Sequence, residues 1–215
     1  MRSLGMRAAL TVLACLCLTA CLGKAPPPEE YLRLGQSREA CGNVPVKDGV
    51  VLAMKPFKAP DNLNRQAVLL ARGRVLSPSM RWYWEASPEL LAGEAVAADV
   101  ACLDGFAGAA PYRSRLDHDA GLTGTLSAFN LQEEGGTRFV IALRLELWSA
   151  NYKRLLASTV IESARPVAAM DAQSVADAAS GALAEAASKA GAWLEAARDV
   201  IAASNTNGAG AQDQP

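Results

Sequence analysis

The sequence predicts an α/β domain, more narrowly α+β: a mixed or antiparallel sheet with two helices packed against it. Three observations predict it. Arg138 to Trp148 alternates at the period of a half-buried strand, with Phe139, Ile141, Leu143, Leu145 and Leu147 on one face. Ser87-Pro88-Glu89 opens a helix with a capping hydroxyl, a proline at the first helical position and an early acid. A mostly alanine stripe running from Val175 to Ile201 traces a second, longer helix.

Ahead of these elements stands a different kind of segment. Arg2 and Arg7 precede an apolar run from Ala8 to Leu18, and Leu18-Thr19-Ala20-Cys21 follows. A charged start, an apolar stretch too short to span a bilayer comfortably and small residues before a cysteine form a bacterial lipoprotein signal, or lipobox. Cleavage before Cys21 frees an amine and a thiol on one residue. Acylating both, with palmitate-like chains, anchors stably where a single chain is marginal. Charged and proline-rich sequence soon after Cys21 argues against a retained transmembrane helix, and the segments ahead of Cys15 and Cys17 fit a small-residue cleavage site less well. Leu22 rather than an aspartate follows Cys21. By the bacterial sorting rule, that residue implies lipid anchoring at the outer membrane, on its periplasmic face.

The chain divides accordingly into a signal peptide over 1–20, a lipidated cysteine with a proline-rich tether over 21–30, one domain over 31–203 and a disordered tail over 204–215. Removing 1–20 takes away two cations and no acid, so the formal charge moves from −1 to about −3. No concentrated basic face for nucleic acid is evident.

Within the domain, Tyr31-Leu32-Arg33-Leu34 is a brief strand candidate, and Gly49 to Phe57 has the apolar, β-branched start of a buried strand. Lys58 to Asn62 reads as a turn, and Gln66 to Leu76 as one strand interrupted at Gly73 and stopped by Ser77-Pro78. The helix opened at Ser87 carries Leu91, Ala95, Ala98 and Cys102 at helical spacing until Asp104-Gly105. Leu122 to Leu131 and the strand ending at Trp148 form a hairpin about Gln132-Glu133-Glu134-Gly135-Gly136. Asn151-Tyr152-Lys153 then turns the chain into a third strand, Leu155 to Glu162. Asp171 caps the final helix, which Gly181 and Gly191 each weaken by about 1 kcal/mol relative to alanine.

Once the signal is gone and Cys21 carries lipid, Cys41 and Cys102 are the remaining thiols in an oxidising compartment. They either pair, closing a loop of about sixty residues, or stay as two partly buried thiols.

Catalytic chemistry finds little support. His118 is the one histidine, and its neighbours Asp117 and Asp119 point opposite ways in an extended segment, so Arg115 to Asp119 reads as a solvated loop and not as a metal site. The Gly105 to Gly108 and Gly121 to Gly124 stretches lack phosphate-loop spacing, and the pairs Glu29-Glu30 and Glu133-Glu134 read as solvated. The expectation is a protein that is not an enzyme and needs no cofactor or metal.

Met80-Arg81-Trp82-Tyr83-Trp84-Glu85 stands out. Three consecutive aromatics cannot all face one core from a strand, so Trp82, Tyr83 and Trp84 either offer a patch to a partner or lock a loop onto the helix start.

Taken in order, the lipobox, Tyr31-Leu32-Arg33-Leu34, Val50 to Phe57 with Ala59-Pro60, Leu63-Asn64-Arg65-Gln66, Trp84-Glu85-Ala86-Ser87-Pro88, Leu122 to Phe129 and Trp193-Leu194 carry a resemblance. The chain resembles the ABC-type transport auxiliary lipoproteins, which accompany MCE-type intermembrane lipid transport systems and include the paraquat-inducible lipoprotein. It departs from them in its alanine-rich last helix, in Cys41 and Cys102, and in Asn130, where many relatives carry an acid. The resemblance implies a non-enzymatic periplasmic component that docks an MCE-domain protein linked to an ABC transporter permease and ATPase, with room for a homo-oligomer. An assembly or structural lipoprotein of another envelope complex, for secretion or lipopolysaccharide export, would share the anchor and the lack of chemistry. A small lipid carrier would need a large apolar cavity, and an anchored hydrolase a cleft of perturbed titratable groups.

Overall fold

The computed structural model describes residues 28–35, 49–113 and 117–209. The signal segment, Cys21 and Cys41 lie outside the described residues. The strands are β1 (Glu30–Leu32), β2 (Val50–Met54), β3 (Ala67–Arg72), β4 (Val75–Trp84), β5 (Phe106–Pro111), β6 (Ala120–Gln132), β7 (Arg138–Ser149) and β8 (Leu155–Pro166). The helices among the described residues are α1 (Pro88–Val100), α2 (Ala172–Ala196) and α3 (Arg198–Ala209).

The sheet is organised by β6, the longest strand at 13 residues. One of its edges pairs antiparallel with β7 from Ala120 to Gln132, and β7 pairs antiparallel with β8. Its other edge is shared. The first part pairs parallel with β2, which carries β5, and the last part pairs parallel with β3, which carries β4 and β1. The result is a single mixed eight-stranded sheet of an α+β domain. Helices α1 and α2 lie side by side on one face of it, α1 over β5 and β6 and α2 over β7 and β8. The core sits between these layers.

The alternation read in β7 is borne out: Phe139, Ile141, Leu143, Leu145 and Leu147 are all buried against the helices. The loop glycines Gly135 and Gly136 take φ of 72° and 103°, backbone that residues with a Cβ rarely adopt.

Several elements differ from the sequence reading. Gln66 to Leu76 is not one strand: Gly73, at φ 59°, turns the chain back, so β3 and β4 form a hairpin. Ser77-Pro78 does not stop β4, because the proline sits on the mostly exposed first half of the strand, which among the described residues is paired on one side only, with β3. Strand β5 was not anticipated, since its small residues FAGAAP carry little apolar signal; it exists because β2 offers it a parallel edge. In α1 the buried residues are Pro88, Leu91, Ala92, Val96, Asp99 and Val100, rotated from the expected stripe so that Ala98 is exposed. The Ser87 side chain makes no capping bond, and its carbonyl accepts from Leu90 and Leu91 instead.

The final helix divides. Its Asp171 cap forms as expected, with the carboxylate accepting from the Ser174 amide at 2.8 Å. The chain breaks at Ala197 and resumes as α3, so three helices stand where two were expected. The tail boundary drawn at Ser204 is overrun as far as Ala209, because Ile201 packs inward and Arg154 donates to the buried Ser204 hydroxyl at 2.8 Å. Gly191 has a packing role: a Cβ there would collide with the Asp99 side chain of α1, so the glycine lets the two helices approach.

Candidate functional site

Within the aromatic run, alternate residues take opposite faces of β4. Trp84 is fully buried, edge-on to Phe129 (5.3 Å between centroids) and Phe139 (5.4 Å). Trp82 is buried as well, its indole N–H donating to Glu30 at 2.9 Å. Tyr83 faces the other way and stacks at a tilt on the exposed Tyr31 of β1, 5.7 Å away. The run is therefore strand and not loop, and the surface it offers is Tyr83 with Tyr31. This corrects the three-residue patch: Trp82 and Trp84 are spent on the core.

Two carboxylates clamp β1 to β4. Glu30 accepts from Arg81 at 2.8 Å as well as from Trp82, and the Arg81 guanidinium holds its carboxyl below the usual carboxylate range. Glu85 accepts from the Arg33 side chain at 2.8 Å and from the Leu34 amide at 3.2 Å. The short strand that follows the tether is thereby fixed at both ends. Beside it, β4 exposes Val75, Leu76 and Met80, the last at 86 %.

Cys102 is disulfide-bonded. Its partner lies outside the described residues.

A second cluster, which the sequence reading missed, gathers on the helix-free face of the sheet. Tyr152 is held at φ 56°, lies over Gly121 and donates its hydroxyl to the Ala53 carbonyl at 2.6 Å. The Lys55 ammonium sits 3.8 Å from its ring centroid and 5.3 Å from that of Tyr112. Burial pushes the Tyr152 phenol up to about 12. His118, expected in a solvated loop, is half-buried here, 6.0 Å from the Tyr112 ring and 6.1 Å from the Tyr152 ring. No local motif announces the cluster, since its members are separated by up to about a hundred residues and only the sheet brings them together. Two open clefts meet at Lys55 and Pro56: one of about 590 Å³, lined mainly by apolar residues including Phe57, Leu90 and Ala109, and one of about 320 Å³ beside Lys58, Thr123 and Trp148. Among the described residues no group of three or more His, Cys, Asp or Glu is arranged to hold a metal, and no helix is long and apolar enough to cross a membrane.

No protein-family model and no curated protein matches the sequence significantly. Solved structures do match the fold. A Xanthomonas campestris protein assigned to DUF330 superposes with a TM-score of 0.66 at 16% identity, over 79% of this chain and 97% of that one. An uncharacterized protein superposes at 0.62 with 13% identity, over 78% of this chain and 99% of the other. A hypothetical protein from Chlamydia trachomatis reaches 0.50 at 8% identity, over 68% and 96%. At these identities the likeness is one of fold: this chain shares the architecture of the DUF330 protein.

Proposed function

We propose that the chain is a non-enzymatic lipoprotein, anchored through Cys21 in the outer membrane and facing the periplasm, that serves as auxiliary component of an ABC and MCE-type intermembrane lipid transport system. The observation that carries the reading is the lipobox, joined by a proline-rich tether to a strand clamped into the sheet by Glu30 and Glu85. Such a connection suits a domain held at a fixed place near a membrane, where it docks an MCE-domain protein. The Tyr31 and Tyr83 pair and the exposed hairpin residues Val75, Leu76 and Met80 supply surface for that docking, either to the MCE protein or to copies of the same chain in a homo-oligomer.

The test is a crosslinked pull-down of the full-length lipoprotein from membranes, with mass spectrometry of what co-purifies. Recovery of an MCE-domain protein with its permease and ATPase supports the reading. Loss of that set in a Tyr31→Ala, Tyr83→Ala variant assigns the contact to the tyrosine pair. Repeated recovery of a different envelope complex, with no MCE protein, sinks the transport assignment.

A further inference from the structure

We propose that the helix-free face of the sheet around Lys55, Lys58, Thr125 and Arg144 binds a phosphate group, either free phosphate or the headgroup of an anionic lipid. The inference stands apart from the transport reading and needs no MCE partner.

The register builds the site. Thr125 of β6 lies opposite Arg144 of β7, and Lys58 bridges Thr125 from the other side. Opposed residues share a face, so a lysine, a threonine and an arginine stand in one row across three neighbouring segments. Two residues back along β6, on the same face, Thr123 lies opposite Glu146, and the Lys55 amide donates to the Leu122 carbonyl at 3.1 Å, which brings Lys55 alongside. Between Lys55 and Lys58 the chain takes three steps while β6 takes two, and Pro56 and Phe57 absorb the extra residue, with the Phe57 ring lying across Gly124.

The electrostatics are one-sided. Among the described residues, Lys55, Lys58 and Arg144 take part in no ion pair, although five other pairs form elsewhere on the surface. The acid of the cleft is Glu146, whose carboxylate accepts from Thr123 at 3.3 Å. Lys55 and Lys58 line an open cleft of about 320 Å³ together with Glu146, and Arg144 stands next to that lining, opposite Thr125. Ammonium and guanidinium donors with hydroxyls are the groups that bind phosphate oxygens, and such charge-assisted hydrogen bonds are stronger than neutral ones.

The site is also stiffened. A bulky residue at positive φ costs about 1–2 kcal/mol, and Tyr152 is held there by its bond to Ala53 and by the space above Gly121. Its ring in turn fixes Lys55. Lys55 and Pro56 also border the cleft of about 590 Å³ that opens toward α1, where Phe57 and Leu90 are joined by Glu89 and Glu94.

Full-length acylated protein in neutral detergent is titrated calorimetrically with inorganic phosphate and, separately, with micelles containing phosphatidylglycerol, with diacylglycerol micelles as the uncharged control. Saturable binding of phosphate that competes with phosphatidylglycerol identifies the phosphate group itself as ligand. Binding of phosphatidylglycerol alone, absent with diacylglycerol, identifies the lipid headgroup. In either case Lys58→Glu with Arg144→Glu weakens binding about tenfold or more, while Arg65→Glu with Arg74→Glu, the same charge change at exposed sites elsewhere, does not. Unfolding midpoints of both double variants, whose altered side chains are all exposed, stay near that of the parent. Absence of binding by both probes, or equal binding by the Lys58 and Arg144 variant, overturns the proposal.

Discussion

The ring of Tyr152 lies directly over Gly121, in the space that any side chain at position 121 would fill. The residues come from a turn and a strand, and the hydroxyl reaches past β6 to the Ala53 carbonyl of β2, tying the turn to the sheet. Gly121→Val should expel the ring. The expected loss is about 1–3 kcal/mol of stability, together with a more exposed tyrosine. Tyr152→Phe keeps the packing and loses one hydrogen bond, at about 1 kcal/mol. Urea denaturation of both variants checks the order; a Gly121→Val protein as stable as the parent would refute the packing account.

Trp84 belongs to the core. Trp84→Ala should cost about 3–5 kcal/mol, because it empties the contact with Phe129 and Phe139. Trp84→Phe should cost clearly less, since the indole N–H has no acceptor among the described residues and its removal strands no partner. Tyr31→Ala, at a site 62 % exposed, should stay within about 0.5 kcal/mol.

Stability should fall at both ends of the pH scale. Glu30, Glu133 and Glu185 are held below the ordinary value of 4.5, chiefly by hydrogen bonds from Arg81, Arg72 and Lys189. A lowered folded-state value gives stability that is present above 4.5 and lost as pH drops through the lowered value. Because these groups are partly exposed and reached by solvent, the acid-side loss should be small and should shrink further in high salt. Tyr152 works in the opposite sense. Its phenol is raised from 10.0 to about 12, so its contribution is full below pH 10 and is lost as pH climbs toward about 12. Thermal midpoints across a pH series, with tyrosinate absorbance followed at the alkaline end, test both arms.

Cys102 is disulfide-bonded, and we expect its partner to be Cys41. Reduction, or Cys102→Ser, should then lower stability by about 2–4 kcal/mol, since a closed loop of about sixty residues is released. Non-reducing peptide mapping should return a peptide joining the two cysteines. Recovery of Cys41 as a free thiol would end the pairing.

Lys189 of α2 donates to the Glu162 carbonyl at 2.7 Å and pairs with Glu185. It thereby occupies a backbone acceptor on the outer edge of β8, a 12-residue strand that among the described residues pairs only with β7. Lys189→Met should leave monomer stability nearly unchanged and raise concentration-dependent association, measured by light scattering.

The β6–β7 hairpin was legible because its alternation extends over ten residues and its turn carries two glycines. The helix at Pro88 and the Asp171 cap were legible because their signals are local. Strand β5 was hidden by its small side chains, and Gly73 looked like an interruption because one glycine marks a hairpin only if the flanking segments pair. At the candidate sites, Trp82, Tyr83 and Trp84 attracted notice as a composition, yet their roles divided by strand parity. Nothing local linked Lys55, Tyr112, His118 and Tyr152.

By itself the sequence determined the α+β class and the faces of its strongly periodic segments, which depend on neighbours within a few turns or strand steps, and it carries the expectation of a lipid anchor at Cys21. The tertiary structure decided where β6 hands its edge from β2 to β3, which aromatics are buried, where the last helix breaks, and which cations share a face with Tyr152. Those outcomes depend on pairings between distant segments, whose register is set by the packed sheet as a whole.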